Sequence, residues 1–173
     1  MDLFILRHGE AGKRLSSGSS DFDRPLTITG KREVTDIAKS LKDFGVKFNF
    51  IITSPLKRAH QTASLVAMAF SSENKMEKWD ELKPDGNRID LYRKLSQQFK
   101  QDSSILIVGH EPYLSSLISE VMSEGDCVGT ACGRIVLKKA GLAKVRITSS
   151  SPQTIHGELR WLLTPKHMKK ISK

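Results

Sequence analysis

Cysteine is nearly absent from this sequence, with two residues, Cys127 and Cys132, among 173. No histidine or further cysteine clusters with them, so the pattern is not that of a zinc site. Two thiols in a chain without an export signal are expected to stay reduced rather than form a disulfide. Aromatic residues make up 6% of the chain and are not interleaved with basic ones, which leaves no stacking platform for single-stranded nucleic acid. No apolar stretch approaches the length of a membrane span. The run Leu3-Phe4-Ile5-Leu6 follows Met1-Asp2 without a basic region and is too short for a signal peptide. Internal repeats, low-complexity linkers and Walker-type glycine loops are all missing. The expectation is a cytoplasmic protein with no nucleic-acid partner and no membrane partner.

What the chain does have is charge and periodicity. The formal net charge is +9. Such a balance fits acidic partners such as phosphorylated substrates or acidic proteins, or serves solubility alone. Lys166, Lys169, Lys170 and Lys173 read as a solvated tail. The length fits a single domain, 1–173, with a sizeable core.

The apolar residues fall into two kinds of run. Asp2 to Leu6, Phe48 to Thr53 and Ile105 to Val108 are short and nearly continuous, as in central strands buried on both faces. A further short strand falls near Met76. Between them, three sets recur at helical spacing: Val34, Ile37, Ala38, Leu41 and Phe44; then Leu56, Ala59, Ala63, Val66 and Phe70; then Ile89, Tyr92, Leu95 and Phe99. Thr27 or Thr29 suits the first N-cap and Gly45 its end. Ser54 suits the second N-cap, with Pro55 at the first helical position. Pro112 opens a fourth helix carrying Leu114, Leu117, Ile118 and Val121. Alternating strands and helices imply parallel pairing through right-handed crossovers. Beyond Gly125, the stretches Arg134 to Lys138, Ala143 to Thr148 and Glu158 to Leu163 read as short antiparallel additions at one edge. The fold class expected is α/β: a three-layer α/β/α sandwich with a mostly parallel central sheet.

Three strand ends carry marked polar groups. Arg7 and His8 follow the first strand, Arg58 stands in the first turn after the second, and His110 follows the last parallel strand. Parallel strands present their carboxyl ends on one side of the sheet, where ligands bind, so these groups can converge. Arginine's planar fork suits phosphate oxygens, and a helix N-terminus favours an anion. Together the four residues form a site for a dianionic phosphoryl group. No metal-ligand cluster accompanies them, and no cofactor is implied. The other histidines weigh less: His60 falls off its helix stripe, and His156 and His167 read as solvated. Arg24 reads as a salt-bridge or loop anchor, Glu10 as a loop residue near the pocket, and Arg32, Lys57 and Arg88 as solvated.

Four blocks carry a family resemblance: Leu6-Arg7-His8-Gly9-Glu10; Arg24-Pro25-Leu26-Thr27 with Gly30; Ser54-Pro55-Leu56-Lys57-Arg58-Ala59 with Gln61-Thr62; and Gly109-His110-Glu111-Pro112. In this order they resemble the histidine phosphatase superfamily, of phosphoglycerate mutase-like fold, and most of all its small SixA-type phosphohistidine phosphatases. The resemblance implies a metal-independent hydrolase in which His8 attacks phosphorus and becomes a phosphohistidine that water then hydrolyses. It also implies that Arg7, Arg58 and His110 hold the phosphate. Larger relatives supply a proton to the leaving group from a carboxylate after the third strand. Glu81 stands in about that place, with Asp80 and Asp85 close by, and its competing reading is a solvated loop carboxylate. The implied partner is a phosphohistidine-bearing protein, such as a phosphorelay or histidine-kinase component. A small phosphorylated metabolite on the same site and a phosphate-binding module without turnover are the alternatives.

Overall fold

The computed structural model describes residues 1–13, 21–123 and 135–171. Six strands form one sheet: β1 (Asp2–Arg7), β2 (Phe50–Thr53), β3 (Met76–Lys78), β4 (Ser104–Gly109), β5 (Leu142–Ser150) and β6 (Ile155–Leu163). Their order across the sheet is β3-β2-β4-β1-β5-β6. The first four are parallel, and β5 and β6 add antiparallel at one edge. The helices are α1 (Ile28–Asp43), α2 (Lys57–Ala69), α3 (Arg88–Gln98), α4 (Tyr113–Met122) and α5 (Pro165–Ile171).

The side-chain period of two along a strand divides the core. Leu3 and Ile5 of β1, with Ile105 and Ile107 of β4, pack against Leu91 and Leu95 of α3 and Leu114, Leu117, Ile118 and Val121 of α4. Phe4 and Leu6, with Leu106 and Val108, face Val34, Ile37 and Leu41 of α1, Ala59, Ala63 and Val66 of α2, and Met168 of α5. This is the expected three-layer arrangement, and both faces of the central strands are dry. Among the described residues, no helix is long and apolar enough to cross a membrane.

Several local expectations are corrected. α2 begins at Lys57 rather than Pro55, and its cap position is Leu56, with no side-chain cap bond. The Ser54 hydroxyl accepts from the Leu56 N–H at 3.4 Å, the bond expected of it, and also lies 2.9 Å from His110 Nε2. Thr27 is the cap of α1 and accepts from the Gly30 N–H at 3.0 Å. Phe44 and Ile89 are exposed. Phe44 lies past the end of α1. In α3, Asn87 caps the Ile89 and Asp90 N–H groups, and the fully buried residues are Leu91 and Leu95. Residues 135–138 are not a strand; the Leu137 carbonyl accepts from Arg7 Nη1 at 2.9 Å and the Leu137 N–H donates to the Ser115 hydroxyl at 3.4 Å. Arg88 is not a solvated face: it lies over the Tyr113 ring and pairs with Glu120. His156 is half-buried and donates from Nδ1 to the Ser123 carbonyl at 3.1 Å. Cys127, Cys132 and Arg134 lie outside the described residues.

Candidate active site

β1 is pinned on both sides at its carboxyl end. The His8 N–H donates to the Gly109 carbonyl of β4 and the His8 carbonyl accepts from the Ala140 N–H. The chain then runs beneath the start of α1, where a Cβ on Gly9 would stand 2.9 Å from the Gly30 carbonyl and one on Gly30 2.2 Å from the Glu10 carbonyl. Only glycine at both positions permits this approach. Thr62 of α2 ties the turn from the other side: its Oγ1 accepts from the Gly9 N–H at 3.1 Å and donates to the Arg58 carbonyl at 2.8 Å. His8 and Arg58 are thus set by one hydroxyl.

Arg7, His8, Arg58 and His110 are brought together around a cavity of about 230 Å³, with Arg24, Glu111 and Lys139 also in its walls. Arg58 Nε donates to His8 Nε2 at 3.3 Å, and the two imidazoles lie 5.1 Å apart, centroid to centroid. Arg58 is 4% exposed, His8 8% and His110 2%. Buried guanidinium is costly unless paired, and here the partner is Asp21. Its carbonyl accepts from Arg58 Nη1 at 2.7 Å and its carboxylate from Nη2 at 2.9 Å. Asp21 also pairs with Arg24 at 3.1 Å, so Arg24 is the expected salt-bridge anchor and a wall of the cavity as well. Among the described residues, Arg7 Nε, Arg24 Nε and His110 Nδ1 are buried without a hydrogen-bond partner. The two arginine Nε–H groups are donors suited to an anion's oxygens.

The tautomer of His8 follows from its contacts. Nδ1 lies 2.7 Å from the Gly9 carbonyl, an atom that only accepts, so Nδ1 carries the proton. Nε2 is then the lone-pair nitrogen, consistent with its accepting from Arg58. Burial holds both rings neutral. It pushes His8 down to about 4, partly opposed by the Gly9 carbonyl and reinforced by Arg58, Arg7 and Arg24. It pushes His110 down to about 3, with His8 and Arg58 adding to the shift.

Glu81 stands apart. Its Oε1 is 2.7 Å from Lys94 Nζ, and it is not among the cavity walls. Asp80 pairs with Lys83. Glu10 accepts from Thr27 and meets Lys139 at 3.6 Å, and is not among the walls of the cavity. His60 and His167 are also outside it. Sequence reasoning missed Asp21, Ser54 as a partner of His110, and Glu111, whose Oε2 accepts from the Ser115 hydroxyl at 2.5 Å. Glu111 had a signal, its place directly after His110; Asp21, in an aperiodic polar loop, had none. Among the described residues, no group of three or more His, Cys, Asp or Glu side chains converges as a metal site would require.

Sheet order, strand ends and cavity define an α/β protein with a cation-lined pocket at the carboxyl edge of a parallel sheet. Comparison with known proteins gives it a place. A model of the histidine phosphatase superfamily (branch 1) matches residues 3–84. The phosphohistidine phosphatase SixA of Escherichia coli is 28% identical over 98% of this chain and 97% of its own. A SixA homolog of Haemophilus influenzae is 32% identical over 70% of this chain and 77% of its own. The structure of the protein histidine phosphatase SixA complexed with tungstate superposes with a TM-score of 0.77 at 27% identity, covering 96% of this chain and 98% of that one. The chain belongs to the histidine phosphatase superfamily and has its phosphoglycerate mutase-like fold.

Proposed function

We propose that this protein is a metal-independent phosphatase that removes the phosphoryl group from phosphohistidine on a partner protein, with His8 as the acceptor. The observation that carries this reading is the state of His8: neutral, its proton fixed on Nδ1 by the Gly9 carbonyl, its Nε2 lone pair beside a buried guanidinium. A nucleophilic imidazole needs that tautomer. The likeness to SixA, a phosphohistidine phosphatase, and to its complex with tungstate, a tetrahedral oxyanion, supports the substrate class.

The steps follow from these positions. As phosphate enters, the Nε–H of Arg58 passes from His8 Nε2 to a phosphoryl oxygen, freeing the lone pair. Arg7 and Arg58 neutralise the equatorial oxygens and His110 donates to one, the positioning and charge stabilisation that phosphoryl transfer requires. The bond from His8 Nε2 to phosphorus forms. The bond to the substrate nitrogen breaks, its electron pair staying on that nitrogen. A protonated phosphoimidazole departs as neutral imidazole, so this exchange needs no carboxylic acid. His8 keeps its Nδ1 proton and becomes a phosphoimidazolium. Water then attacks phosphorus, the P–N electrons return to Nε2, and the water proton leaves with the product or to solvent.

The test is rapid quench with labelled phosphohistidine protein, aryl phosphate and small phosphate esters in the presence of chelator, followed by peptide mapping. Acid-labile, base-stable label on His8, with turnover fastest on the phosphohistidine protein, is the expected result. Label on His110, or turnover of small esters alone, contradicts the reading.

A further inference from the structure

A second cavity, of about 540 Å³, shares Arg7 and Lys139 with the catalytic one and is more than twice its size. Glu10 and Glu33, the turn before β5 (Lys138 and Lys139) and the start of α5 (Thr164, Pro165 and Lys166) form its other walls. Cations outnumber carboxylates there. Glu10 is answered by Lys139 at 3.6 Å and Arg7 is turned toward the Leu137 carbonyl, which leaves Glu33 against Lys138 and Lys166. Both lysines are exposed, and among the described residues neither has an ion-pair partner. They sit on separate elements with long flexible stems. Such point charges suit carboxylates at variable spacing rather than one planar, bidentate anion.

We propose that this cavity is the docking groove for an acidic segment of the phosphoprotein substrate. Carboxylates beside the phosphohistidine meet Lys138 and Lys166 while the phosphoimidazole enters the smaller cavity across Arg7. The groove thus sets which phosphohistidines are accepted, through charge and association rate rather than through the chemistry. This rests on the protein-substrate reading above.

The probes are two synthetic peptides with a central phosphohistidine, made with phosphoramidate, one flanked by Asp and Glu and the other by Ser and Gln. At low ionic strength the acidic peptide is expected to have a kcat/KM roughly five- to tenfold higher, as two exposed ion pairs allow. Raised salt should erase that advantage. The double variant Lys138→Glu/Lys166→Glu should abolish or invert the preference while aryl phosphate turnover stays within about twofold, since neither residue lines the smaller cavity. Equal use of the two peptides by the unaltered protein, or a preference that survives double charge reversal, overturns the groove. Aryl phosphate turnover with no turnover of either peptide overturns the phosphohistidine reading instead. Fluorescence anisotropy of the unphosphorylated peptides then judges the groove alone: acidic preference lost in the double variant supports it, and equal affinity overturns it.

Discussion

β4 is buried at every position from Ile105 to Gly109, whereas β5 alternates between buried and exposed from Val145 to Thr148. β1, β2 and β4 have strand neighbours on both sides, so the residues that follow them cannot drift. His8, Arg58 and His110 are held at such ends, and a buried cation there is paired rather than solvated. The antiparallel edge has looser demands. Its ladder slips register between Lys144 and Val145 and between Ile147 and Ser149, and its outer strand carries Glu158 and Arg160 paired at 2.8 Å; irregularity and charge of this kind protect an exposed edge. The edge is not idle, because the turn leading into it supplies the Leu137 and Gly141 carbonyls that hold Arg7. The candidate site therefore lies mainly in the parallel half, and the antiparallel half supplies one brace.

The sharpest way to break that division is at His8. His8→Ala should lower turnover on the order of 10⁴-fold or more, as loss of a covalent nucleophile does, while urea unfolding stays close to that of the unaltered chain. Near-normal turnover would end the assignment. Arg58→Ala should cost on the order of 10²- to 10³-fold in kcat/KM, since a donor aimed at developing charge is lost. It should also weaken inhibition by vanadate, measured by competition. If kcat/KM and vanadate inhibition are unchanged, Arg58 serves only to anchor Asp21.

Acid should reach the parallel half first. Burial lowers His8 to about 4 and His110 to about 3 from an ordinary 6.5. The unfolded chain takes up protons below 6.5 that the native rings refuse. The stabilising contribution is therefore full above 6.5 and is lost as pH falls through about 4 for His8 and about 3 for His110, on the order of several kcal/mol in all. Denaturant unfolding at pH 7 and 4.5 should show this loss. The difference should shrink in a His8→Asn/His110→Asn variant; the same slope in both would show that carboxylates carry it.

The edge gives the converse. Trp161 of β6 packs on Phe4 at 5.9 Å, and Trp161→Ala should cost about 2 kcal/mol of stability for a half-buried ring with kcat unchanged. A large fall in kcat would mean that the edge sets the site more directly than its turn suggests. The smallest effect is expected at Glu81. Its carboxylate is bound to Lys94, so Glu81→Gln should change phosphohistidine turnover less than about threefold. A selective loss with poor leaving groups would restore it as a proton donor.

Much of this was legible from periodicity and turn chemistry, which are local. Continuous apolar runs marked β1 and β4, helical spacing marked α1 and α4, and the Arg-His-Gly and Gly-His-Glu-Pro blocks marked the strand ends from which Arg7, His8 and His110 enter the cavity. Parallel topology alone then implied that these ends share an edge. Tertiary structure decided what depends on distance between remote residues. Asp21 pairs with Arg58 across a separation of 37 residues, Ser54 meets His110 across 56, and Lys94 pairs with Glu81. The Nδ1 proton of His8 could not be read from composition either, although its partner is the adjacent Gly9, because the choice of tautomer depends on which backbone carbonyl the strand end turns toward the ring. Local pattern follows from the energetics of neighbouring residues. Which charge meets which follows only from packing, which sets both the distances and the low dielectric that gives each pairing its strength.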